Sequence, residues 1–117
     1  MKLMKSAAAL ALASAALLAG AGTASAGNQS YPVSSWLDVN VRTCASTFCK
    51  PVGVAEVGYT TYATCWTRGE LIIEHGITND VWLQVGSTDT GVWGYASAVY
   101  FRGDELANLP ATAQCRV

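Results

Sequence analysis

The sequence predicts an all-β domain, a small barrel or sandwich of about five to seven short strands stapled by disulfides. Three observations carry this. Apolar and polar residues alternate with a period of two in several short runs, Gly-containing turns separate those runs, and no sustained helical period occurs anywhere in residues 36–101. The chain has four cysteines, an even number that suits an oxidised small domain.

Taken in order, the chain opens with the pattern of a secretory signal over residues 1–26. Lys2 and Lys5 form a positive region, Ala7 to Ala19 an apolar run, and Ala24-Ser25-Ala26 a small-residue cleavage site. The apolar run falls well short of the roughly 20 residues that cross a bilayer as a helix, so no membrane anchor is expected once the signal is removed. Residues 27–35, polar and interrupted by Pro32, read as a flexible lead-in.

The barrel is expected over residues 36–102. Leu37, Val39 and Val41 alternate with Asp38, Asn40 and Arg42, the signature of a strand with one buried face. Thr43 to Pro51 holds the first two cysteines and a proline, hence a loop, and Val52 to Ala55 is a short apolar piece. Tyr59 to Trp66 is rich in β-branched and aromatic types. Arg68-Gly69 then reads as a turn, with Glu70 to Glu74 as a return strand. Val81, Leu83 and Val85 alternate with Trp82 and Gln84, Gly86 to Gly91 is a polar turn, and Val92 to Ala96 is the last strand. Residues 103–117 read as a tail that folds back, with a short helix compatible with Asp104–Leu109 before Pro110.

A mature domain of this size buries a modest fraction of its surface, so cross-links supply part of its stability. Export and the even count make two disulfides the default, with three pairings open. Cys44–Cys49 and Cys65–Cys115 are favoured, the first stapling a loop and the second pinning the tail. On the chain-entropy account these contribute roughly 2 and 4 kcal/mol.

Charge narrows the partners. Two of the seven basic residues, Lys2 and Lys5, belong to the signal, which leaves five against eight acidic residues, with Lys50 the one remaining lysine. Nucleic acid and acidic membrane surfaces both need clustered Lys and Arg, so neither is expected. Catalysis is not expected either: the chain has one histidine, His75, flanked by Glu74 and Gly76 at a turn, and a base needs an oriented partner. Glu70 and Glu74 share strand parity, which is also how an exposed hairpin face looks. The spacing of Cys44 and Cys49 is one that zinc tolerates, but an oxidising compartment favours disulfides, so no metal and no cofactor is assigned.

The strand motifs have a recognisable order. Val39-Asn40-Val41-Arg42, then Val52-Gly53 followed by Gly58, then Trp82-Leu83-Gln84-Val85, and finally Gly94 to Phe101 resemble, in sequence and spacing, the four steps of bacterial SH3-like domains. The resemblance covers residues 36–101. It departs at Thr43-Cys44-Ala45-Ser46, where the family has a Ser-Gly-Pro turn, and in the added tail carrying Cys115. The resemblance implies an SH3-like barrel and a non-catalytic, secreted or wall-associated recognition module for peptidoglycan or another extracellular macromolecule. A second reading is a protein–protein interaction or enzyme-inhibitor domain, and a third a self-associating surface protein. The resemblance also implies that Thr61, Ala63 and Cys65 face the core. Tyr62 and Trp66 then point outward, and with Trp36 they become the candidate ligand-binding residues, since exposed aromatics give large contact area at small entropic cost. Trp82 and Tyr95 match core positions, and Trp93 caps one end.

Overall fold

The computed structural model describes residues 29–116; the signal expected at residues 1–26 and the first residues of the lead-in lie outside them. The fold is all-β, as expected. Six strands form one antiparallel sheet that curls into a half-barrel: β1 (Tyr31–Ser34), β2 (Val39–Arg42), β3 (Pro51–Ala55), β4 (Thr60–Glu74), β5 (Ile77–Gly86) and β6 (Trp93–Ser97). Their spatial order is β1-β4-β5-β6-β2-β3. The two edge strands meet at one end, where the Ser35 hydroxyl donates to the Ala55 carbonyl at 3.3 Å.

Alternation accounts for most of the core. Val33, Val39, Val41, Ala63, Leu83, Val85 and Ala96 turn inward from successive strands, and Trp66, Phe101 and Leu109 complete the cluster. The central strand β5 is covered on both sides. Trp82 and Leu83 are adjacent in sequence, therefore on opposite faces, and both are buried. Trp82 packs with Ile72 and Val99 in a second, smaller cluster, which Tyr95 and Tyr100 border.

Three expectations need correction. The lead-in is not free of structure: Tyr31–Ser34 pairs with Thr60–Ala63, which supplies the backbone partners that the sequence of residues 27–35 does not advertise. No turn forms at Arg68-Gly69. Instead β4 runs through it, because the residue after Gly69 is tied elsewhere: the Glu70 N–H donates to Ala45 O and its carbonyl accepts the Trp82 indole N–H. The hairpin turn lies at His75-Gly76, both at positive φ, and joins β4 to β5. Finally, no helix spans Asp104–Leu109. Ala107 and Asn108 adopt positive φ, which a right-handed helix does not admit, so two successive turns occupy the segment.

Both favoured disulfides are present, Cys44–Cys49 and Cys65–Cys115. The tail folds back as expected. The Cys115 N–H donates to Trp66 O at 2.8 Å, the Trp66 indole donates to Pro110 O at 3.2 Å, and Gln114 bridges to Trp66 in parallel.

Candidate functional site

The three candidate aromatics do not come together. Tyr62 is half exposed on the outer face of the sheet, as expected. Trp66 is in the core at 7% exposure. The cause is a β-bulge between Ala63 and Cys65: Thr61 and Ala63 point inward, the extra residue shifts the alternation, and the next inward position is Trp66. The expectation that Cys65 lines the core fails for the same reason. Trp36 is half buried, its indole donating to Val99 O at 3.0 Å, its ring edge-on to His75 at 4.9 Å and tilted against Tyr100. Trp82 is core as expected, Tyr95 is half buried, and Trp93 lies exposed beside Gly86.

The Glu70 and Glu74 pair also lies differently. Both flank the buried Ile72 on one face, and it is Leu71 and Ile73 that point to solvent. Glu70 is committed to structure. Its Oε1 accepts from the Thr47 backbone N–H, the Thr47 hydroxyl and the Ser46 hydroxyl, and these donors, Thr47 first, hold its carboxyl below the ordinary range.

Glu74 instead lines a groove of about 230 Å³ on the side of β5 that carries Trp82. Its floor is Trp82, Ile72 and Ser97; its walls are Leu37 to Asn40 and Arg42 from the β2 side, Thr47 from the disulfide loop, and Tyr100. Each wall has a local reason for its place. A register shift lies between Arg68 and Ile72, and beyond it the end of β4 supplies Ile72 and Glu74 to the groove. Ser97 caps the 3-10 turn Ala98–Tyr100 by accepting from the Val99 N–H, and that turn presents Tyr100. Arg42 sits on the outward parity of β2, with Nη1 donating to the carbonyls of Thr47 and Cys49 at 3.1 and 3.0 Å. The phenol of Tyr100 has its pKa raised, first by burial and then by the negative charge of Glu74, with the positive charge of Arg42 opposing. Glu74 and Arg42 therefore both act on Tyr100 across a single small space.

No family model, curated protein or solved structure matches this chain.

The chemistry of the site must therefore be read from its own residues. A wider depression of about 580 Å³ lies around the Cys65–Cys115 bridge, but its lining is amide, hydroxyl and aromatic, with Arg116 the one charged side chain in it among the described residues. The smaller groove is the better candidate, because it combines an aromatic floor with opposed charges, the arrangement that fixes a ligand's orientation. His75 lies beside the groove, next to Glu74. Its Nδ1 lies 3.5 Å from Glu74 Oε1, and its ring is engaged with Trp36 at an exposed turn. Sequence reasoning identified none of the groove's polar residues as a site. The signal it lacked is the continuity of β4 through Gly69, which alone brings Glu74 beside β2.

A second feature is the Cys44–Cys49 loop. Phe48 is 93% exposed at the tip of the Cys44–Cys49 loop. That loop is stiff: besides its disulfide it has Arg42 on two carbonyls, Glu70 on Ser46 and Thr47, the Phe48 N–H on Ser46 Oγ, and Thr43 N–H on Lys50 O.

Proposed function

We propose that this protein is a non-catalytic recognition module of the bacterial SH3-like type that acts outside the cytoplasm and binds the peptide part of peptidoglycan. The observation that carries the reading is the groove between β2 and the end of β4, where Trp82 and Tyr100 offer apolar surface and Arg42 and Glu74 offer opposite charges. The signal-like start, the ordered strand motifs and two disulfides in so small a domain support an extracytoplasmic setting. Co-sedimentation of the oxidised protein with insoluble peptidoglycan tests it. Binding is expected, with loss on Tyr100→Ala at unchanged circular dichroism; a protein that stays in the supernatant overturns the wall reading.

One observation favours a second reading, a protein–protein interaction or inhibitor module. A nearly fully exposed phenylalanine on a braced loop has the character of a rigid anchor that fills a partner's pocket at little entropic cost. On that reading Phe48→Ser abolishes association with the partner, while Tyr100→Ala leaves it intact.

A further inference from the structure

We infer that the groove selects a zwitterionic group of amino-acid to dipeptide size, its carboxylate placed at Arg42 and its ammonium at Glu74. This deepens the proposed recognition of wall peptide and rests on it.

The argument begins with which donors and acceptors are already used. Arginine has five N–H donors, two of them on Nη1. Nη1 of Arg42 is spent on the carbonyls of Thr47 and Cys49, which fixes the guanidinium and leaves the Nε and Nη2 edge without a protein acceptor among the described residues. That edge is a fork suited to the two oxygens of a carboxylate. The neighbouring acids divide in the same way. Three donors from the loop converge on Glu70 Oε1 and Asp38 Oδ1 accepts the Val57 N–H, whereas the Glu74 carboxylate accepts no hydrogen bond among the described residues and its one ion-pair contact is His75, at 3.5 Å. Glu74 thus keeps acceptor capacity for an ammonium.

Tyr100 lies between these charges. Its burial and the proximity of Glu74 keep the phenol protonated, so it can donate to a carbonyl or accept from an amine. The space is small and floored by Trp82 and Ile72, which limits the apolar part of the ligand to short side chains. A dianion in this space meets Glu74, a dication meets Arg42, and a neutral group leaves both charges unanswered. A group carrying one charge of each sign satisfies both.

The test is an NMR titration of the oxidised protein with three probes: alanyl-alanine, N-acetyl-alanyl-alanine, which lacks the ammonium, and alanyl-alanine amide, which lacks the carboxylate. Alanyl-alanine is expected to shift the signals of Arg42, Glu74, Tyr100 and the Trp82 indole, and each cap to weaken binding about tenfold or more, the scale of one lost charged contact. Glu74→Gln is expected to erase the penalty for N-acetylation while keeping the penalty for amidation. Because Arg42 also braces the loop, Arg42→Gln serves as a supporting variant only where its spectrum stays native; Glu74→Gln and the capped probes carry the test. Equal binding of all three probes, shifts confined to another face, or no binding overturns the inference. Peptidoglycan co-sedimentation separates the two levels: retained sedimentation with no dipeptide selectivity sinks this inference alone, and loss of both sinks the recognition reading beneath it.

Discussion

Oε1 of Glu70 accepts both the backbone N–H and the hydroxyl of Thr47, at 2.6 and 2.7 Å, and so anchors the disulfide loop to the middle of β4. These donors stabilise the ionised form, so the folded-state pKa lies below the ordinary glutamate value of 4.5. A depressed acid contributes stability that is present above its unfolded pKa and is lost as pH falls through the folded value. Urea midpoints measured from neutral pH into the acid range should fall more steeply in the native protein than in Glu70→Gln. Parallel curves would remove Glu70 as a source of acid sensitivity.

The two cross-links should differ in weight. Cys65–Cys115 closes a loop with a sequence separation of 50, Cys44–Cys49 one of 5. On the chain-entropy account, replacing both members of the first pair with Ala costs about 4 kcal/mol and of the second about 2 kcal/mol. Chemical denaturation of the two double variants checks the order, and a larger loss from the short loop contradicts it.

Trp66→Ala should cost about 3–5 kcal/mol, the range for removing a core aromatic ring. Its indole packs inside the barrel and also holds the tail through Pro110. Tyr62→Ala, on the outer face, should stay within about 0.5 kcal/mol. Similar losses for the two would contradict the bulge that sets them on opposite faces.

Gly94→Ala should cost about 1–3 kcal/mol, as overpacking does. An added Cβ would run into the Arg42 backbone carbonyl and a Val41 methyl, where β6 and β2 cross with a single register pair, Arg42 with Tyr95. Hydrogen exchange should show the damage concentrated in β2. Damage spread evenly over β4 and β5 would argue against the close approach of β2 to Gly94 as its cause.

Much of the fold was legible because inward positions recur every second residue. Val39 and Val41, and the set Val81, Leu83 and Val85, were read from local pattern, Trp82 as core from the resemblance of the strand motifs, and the cysteine pairing from one pair stapling a loop and the other pinning the tail. What escaped depended on partners remote in sequence. Tyr31–Ser34 is a strand only because β4 offers it an edge, and Arg68-Gly69 does not turn because Ala45 and Trp82 hold Glu70 in line. The one-residue slip at Ala63–Cys65 leaves no compositional mark, yet it exchanges the fates of Cys65 and Trp66. The groove inherits both effects. Glu74 joins Arg42 and Tyr100 only once the long strand is continuous, so no motif in the sequence announces the site.

The bond from the tail to the middle of β4 also governs how the molecule carries load. Tension applied at the C-terminus passes through Cys115 directly to Cys65, so the chain between them, including β5 and β6, sits in a covalent ring that cannot be drawn out. Pulled by its two ends, the oxidised protein withholds this ring and the short loop closed by Cys44–Cys49, and reduction of Cys65–Cys115 alone releases the ring.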